Sequence, residues 1–175
     1  VSFVTRWHIL WQIPLGFYIL SVLYRSFIGS LTYEAEWFFQ YLTLFYIPIL
    51  YRWWKDAELS ISKNITLFIS ILAFLFVDIQ VNILFIPELR EIFHRNDLVV
   101  GHSHVAVGIG LLFLSFAVIE PFFKISTRKV LFLTAMMLLM TLVLTINGFS
   151  QAGFSKVDTM TIWTWRAIFG GLFLL

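Results

Sequence analysis

The sequence predicts an all-α integral membrane protein, a bundle of about six transmembrane helices. Three observations predict it. The chain of 175 residues is 60% hydrophobic and only 13% charged, whereas soluble domains run to about 45–50% apolar and about 25% charged residues. Aromatic residues make up 19%, with seven Trp and twenty Phe, a stock suited to packing against lipid or a large flat cofactor. Finally, the apolar residues gather into stretches of spanning length, roughly 20 residues each, joined by short polar links.

Taken in order, the first stretch covers about 5–24 and ends at Arg25. It carries His8 between Trp7 and Trp11, a setting for an interfacial anchor rather than a ligand. Glu34 and Glu36 flank Tyr33 in the following link and are read as solvated carboxylates rather than a cation site. The second stretch, about 37–54, runs into a basic link with Arg52, Lys55 and Lys63. Asn64-Ile65-Thr66 there fits the glycosylation pattern but falls on the inner side in the orientation argued below. The third, about 65–87, is punctuated by Asp78, Gln80 and Asn82. Positions 78 and 82 share a face at i,i+4, and hydrogen bonding between helices is favoured over a proton path. A link with Arg90, His94 and Arg95 leads to the fourth stretch, about 98–119. Lys124, Arg128 and Lys129 precede the fifth, about 130–153, and Lys156 the sixth, from about 160 to the end. No link is long enough for a soluble domain, so residues 1–175 read as a single transmembrane domain.

The chain opens on Val1 rather than Met and stops inside an apolar run at Leu175, which reads as part of something longer. The first stretch has full spanning length and is not a signal peptide. Orientation follows from Lys and Arg in the links. With the N-terminus inside, Arg6, Arg52, Lys55, Lys63, Lys124, Arg128 and Lys129 face inward, against Arg25, Arg90, Arg95 and Lys156 outside. The start of the fourth helix then lies toward the outer face. A net charge of +2 with no basic run gives no case for nucleic acid. The absence of cysteine excludes disulfides, iron–sulfur clusters and covalent c-type haem attachment.

The strongest local signal is Gly101-His102-Ser103-His104, one turn into the fourth helix. Ionisable groups inside a bilayer are costly and usually functional. Positions two apart on a helix stand about 200° apart around its axis, so the two imidazoles cannot share one ion. Each is placed to hold its own planar cofactor, and Gly101, Ser103, Gly108 and Gly110 add little bulk beside them.

The stretch His94-Arg95-Asn96-Asp97-Leu98-Val99-Val100-Gly101-His102-Ser103-His104 resembles the haem-binding helix of the haem–copper oxidase superfamily. It is most similar to the catalytic subunit of cbb3-type cytochrome oxidases, with nitric oxide reductases next. Ile146-Asn147-Gly148 and Trp165-Arg166-Ala167-Ile168-Phe169-Gly170-Gly171-Leu172 resemble the end of the eleventh and the start of the twelfth helix of such subunits. The six stretches then correspond to helices seven to twelve of a twelve-helix fold. The resemblance implies that His102 binds a high-spin haem iron and His104 a low-spin one. For His94 it implies a place at a haem propionate or beside a ligand, against a solvated loop His. Arg166, near the outer end of the sixth stretch at the level of the histidine pair, is placed to pair with propionates through the bidentate match of guanidinium to carboxylate, against an interfacial anchor. One or two b-type haems are implied, shared with an N-terminal half or partner membrane subunit supplying helices one to six. A cytochrome c-type or quinol electron donor and a bacterial cytoplasmic membrane go with it.

Departures from the family are as informative. The copper-binding His-His pair expected near the end of the first stretch is replaced by Leu20-Ser21-Val22-Leu23-Tyr24, so no copper site is expected. Gln80 stands where cbb3-type subunits usually place a carboxylate. The resulting expectation is a haem b-binding subunit of a respiratory electron-transfer complex, part of an oxidoreductase but with no catalytic residue of its own. The alternative is a haem-free transporter or structural subunit retaining the scaffold.

Overall fold

A chain embedded in lipid must satisfy its backbone hydrogen bonds internally. The computed structural model does so with helices alone; it describes residues 2–120, 122–123 and 125–175, with side chains from Gln12 onward, and contains no strand among them. Arg6, Trp7, His8, Trp11 and Lys124, which entered the reading above, lie outside the described side chains. The chain divides into two compact units, Val1–Ser60 and Ile61–Leu175.

In the first unit, α1 (Ser2–Phe27) packs against α2 (Tyr33–Tyr41), a 3-10 turn (Leu42–Phe45) and α3 (Tyr46–Asp56). The single stretch expected over 37–54 is thus helical but interrupted. Pro48 explains the interruption: it has no N–H for the Leu44 carbonyl and its ring crowds that carbonyl, so the turn before it tightens. Arg25 Nη2 meets Glu36 Oε1 at 3.1 Å, and Thr32 caps α2 by accepting from the Ala35 N–H, so Glu36 is not merely solvated. Phe17 of α1 sets its ring edge-on to Phe38 of α2, with centroids 5.8 Å apart.

In the second unit, α4 (Ile65–Leu84) ends earlier than the 65–87 stretch suggests, and a short helix, α5 (Pro87–Phe93), follows. A residue before proline avoids helical geometry, and Ile86 is extended with ψ 135°. Pro87 then opens α5 from its first turn, where a missing N–H costs nothing. A continuous helical run, Asp97–Ile119, comes next. It consists of α6 (Asp97–His104), a π-helical segment (Val105–Leu111) and α7 (Leu112–Ile119). It is followed by α8 (Thr127–Gln151) and α9 (Thr159–Leu174). α8 is the hub, packing on α6, the π segment and α9. Val105, Ile109, Phe113, Val130, Met137 and Leu144 form the centre of this unit's core. α8 closes with Gly153 at φ +84°, where the Phe154 N–H reaches back to the Phe149 carbonyl at 2.9 Å.

Among the described residues, three helices are long and apolar enough to cross a membrane: Ile65–Leu84, Asp97–Ile119 and Thr127–Gln151. Large apolar side chains on the outside, such as Phe122 at 80% and Phe27 at 83% exposure, are costly in water and cost nothing in hydrocarbon. These features mark a helical membrane protein. α9, at 16 residues, is helical where the sixth stretch was expected but rises only about 24 Å.

Asp158 caps α9, its Oδ2 accepting from the Thr161 hydroxyl and from the Thr161 N–H, both at 2.8 Å. These bonds, the hydroxyl's first, favour the charged form and hold the carboxyl below its ordinary value. A depressed folded-state pKa gives stability that is fully present above the unfolded value, about 3.9, and is lost as pH falls through the folded one. Asp158→Ala should therefore fray the first turn of α9 at neutral pH. The difference from wild type should vanish below the aspartate range. Amide hydrogen exchange at Thr161 and Ile162, measured at both pH values, checks this; equal protection at neutral pH would contradict the cap.

Candidate functional site

The helix that carries the paired histidines is fastened at its entry to the end of α8. Asn96 caps it, with Oδ1 accepting from the Leu98 N–H at 3.0 Å and Nδ2 donating to the Gly148 carbonyl at 3.1 Å. Asp97 accepts from Asn147 Nδ2 at 2.6 Å, and its own N–H donates to Gln151 Oε1 at 2.8 Å. Asn96 and Asn147 are buried, where an unpartnered amide would cost on the order of 1–3 kcal/mol. Their pairing therefore holds α6 to α8 as well as satisfying both. Gly148 lets the Leu98 backbone approach closely: a Cβ there would lie 2.6 Å from the Leu98 nitrogen.

One turn further, Gly101 packs on Thr141 and Leu144 of α8, and His102 occupies the neighbouring face. The His102 ring is half-buried, with Nδ1 3.3 Å from Gln80 Oε1 on α4. His104, also half-buried, places Nδ1 2.7 Å from the Val100 carbonyl of its own helix. A carbonyl oxygen only accepts, so His104 Nδ1 is the donor of this bond, and in the neutral form of that tautomer the lone pair sits at Nε2. With Gln80 Oε1 as acceptor, the same holds for His102. A ligating imidazole normally makes this kind of bond with its other nitrogen. The two rings thus have separate partners, one on α4 and one on α6 itself.

The glycines have a different role from the one their sequence suggests. Gly101 and Gly108 are covered by α8, the latter by Met137, and Gly110 by the Phe74 ring of α4. They let helices approach rather than leaving a flat space for a macrocycle. Among the described residues, no group of three His, Cys, Asp or Glu side chains is gathered to hold a metal ion. A planar tetrapyrrole brings its own four equatorial nitrogens and needs only one axial imidazole on a face, which is what each of these rings can give.

The structure does not bring the other candidates to the pair. His94 is exposed at the end of α5, where its N–H bonds the Arg90 carbonyl. Arg166 lies on α9 with its guanidinium 4.5 Å from the Trp163 ring centroid, a cation–π contact. Of Asp78, Gln80 and Asn82 on α4, Asn82 bonds the Asp78 carbonyl within its own helix, and Gln80 reaches His102 on the neighbouring helix. Val22 and Leu23 are exposed apolar residues of α1. An apolar cavity of about 290 Å³ between α4, the π segment and α8 has no titratable group in its lining.

Sequence reading missed Gln80 as the partner of His102 and Asn96 as the cap that ties α6 to α8. A signal existed for each: an amide inside an apolar helix needs a partner, and Asn directly before a helix is a preferred cap. No family model, curated protein or solved structure matches this chain.

Proposed function

We propose that this chain is a haem b-binding membrane subunit of a respiratory electron-transfer complex, one half of an oxidase- or nitric oxide reductase-like core. The observation that supports it is the pair of half-buried imidazoles on one membrane-spanning helix, each with Nδ1 against a carbonyl oxygen and Nε2 left to donate. On this reading His102 holds a high-spin haem iron and His104 a low-spin one, with Arg166 and His94 set to meet propionates at the outer face. When bound, b-type haem supplies one-electron transfer between ferric and ferrous iron.

The chain's own residues do the holding. Asn96, Asp97, Asn147 and Gln151 fix the entry of the ligand helix, and Gln80 and the Val100 carbonyl orient the two rings. An N-terminal half or partner membrane subunit supplies the remaining helices and ligands. A cytochrome c-type protein or quinol delivers electrons, and the host is a bacterial cytoplasmic membrane.

The test is a reduced-minus-oxidised spectrum and a haem-to-protein ratio on the intact complex purified from its native membrane. A b-type α-band with at least one haem per chain is the expected result. A complex with no haem would favour the haem-free scaffold reading and sink this one.

A further inference from the structure

We propose that the apolar cavity between α4, the π segment and α8 binds the end of a lipid acyl chain, which enters sideways from the middle of the bilayer. The proposal rests on the membrane-spanning helices alone and is independent of haem.

Elsewhere these helices close on one another: Met137 lies over Gly108 and the Phe74 ring over Gly110. α4 and α8 both pack on the π segment but meet each other little. Between them the short side chains of Ala73 and Thr134 leave a space of about 290 Å³. Buried Ala73, Val105 and Ile109 form its floor. Leu72, Phe76 and Leu138, each about half exposed, form its rim, so the mouth opens on the outside of this unit. Ala73 and Phe76 stand near the middle of Ile65–Leu84, and Val105 and Ile109 near the middle of Asp97–Ile119. Leu138 stands near the middle of Thr127–Gln151. Three spanning helices thus put the mouth at mid-membrane depth, inside the hydrocarbon layer where acyl chains end.

The lining selects the occupant. Among the described lining residues the only polar side chain is Thr134, whose hydroxyl donates its hydrogen to the Val130 carbonyl at 2.8 Å. A buried water needs about two to four polar partners, so this site excludes water. Left empty, the lining side chains forfeit their dispersion contacts on one side. An apolar cavity of roughly 150 Å³ takes up benzene. This one is about twice as large and accommodates a run of methylenes ending in a methyl. A charged or hydrogen-bonding ligand finds no partner here; a chain end needs none. Seated in the cavity, it bridges α4 and α8 where their own side chains do not.

The test uses the protein purified with its native partners and reconstituted in vesicles of phosphatidylethanolamine and phosphatidylglycerol. The chain-terminal methyls of the lipid and the δ1 methyls of isoleucine carry ¹³C, and magic-angle-spinning NMR reads contacts between them. Ile109→Val assigns the Ile109 signal. The buried Ile109 methyl should show a cross-peak to the chain ends, and Ile162, buried on α9 away from the cavity, should show none. Ala73→Leu fills the space and should abolish the Ile109 cross-peak. Thr134→Leu fills it from α8 and serves as a second route should the first variant fail to fold. Thr134→Val keeps the shape without the hydroxyl and should leave the contact in place. A wild-type Ile109 signal no stronger than that of Ile162 would overturn the proposal, whether the cavity is empty or filled by a neighbouring chain. A cross-peak that survives both filling substitutions would do the same. So would contact with methylenes next to the headgroup, labelled in a parallel sample, in place of the chain ends.

Discussion

Gly148→Ala should push α6 away from α8 and destabilise the second unit more than a methyl added at the other helical glycines. What the new Cβ meets decides this. At Gly148 it meets the Leu98 backbone nitrogen at 2.6 Å and the Leu98 Cα at 3.1 Å, and no rotamer change relieves a clash with main chain. At Gly108 the nearest atom is the flexible tip of Met137, and at Gly171 nothing lies within 4 Å. Overpacking costs typically about 1–3 kcal/mol. Separating the helices also breaks the bond from Asn96 Nδ2 to the Gly148 carbonyl, worth about 1 kcal/mol more. Gly171→Ala gains about 0.5–1 kcal/mol from helix propensity, so the two variants should differ in sign. Equilibrium unfolding in mixed micelles measures both. Equal stability of Gly148→Ala and Gly171→Ala would mean that this close approach does not hold the helices together.

The same region shows what the sequence could and could not announce. Helical segments over 65–84, 97–119 and 127–151 were legible because a long apolar run has one economical form in lipid, and polar links mark its ends. Local chemistry also carries the breaks. Pro48 and Pro87 are visible in the sequence, and each coincides with a break, although apolar counting alone passed over both. Contacts between helices were not legible. Which side of Gly101 meets α8 depends on how two helices approach, and the same four small residues would suit a flat cofactor or a neighbouring helix equally well. The structure shows the neighbouring helix. Gln80 looked like a departure from a family pattern; across the antiparallel pair of helices it is the residue that reaches His102. The pair itself was legible because polar side chains in an apolar helix stand out without any knowledge of packing.

Substituting His102 and His104 one at a time should remove different spectral species. They stand about 200° apart on one helix, and their rings have different partners, Gln80 for one and the Val100 carbonyl for the other. Neither ring is placed to share an ion with its neighbour. Under the proposed function, His104→Ala should abolish the sharp α-band of a low-spin haem whose second ligand would come from the proposed partner subunit. His102→Ala should remove only the high-spin, carbon monoxide-reactive haem. On that proposal each change removes one species, because each imidazole would hold a different haem. The helix itself should survive both changes, because its anchoring to α8 runs through Asn96, Asp97, Asn147 and Gln151 rather than through the rings. Circular dichroism and the unfolding midpoint confirm that the helix is intact. Difference spectra with and without carbon monoxide then assign the loss. Two variants that erase the same species and spare the other would overturn the division of labour between the rings. Two that leave bound haem unchanged would remove both histidines from the ligand set.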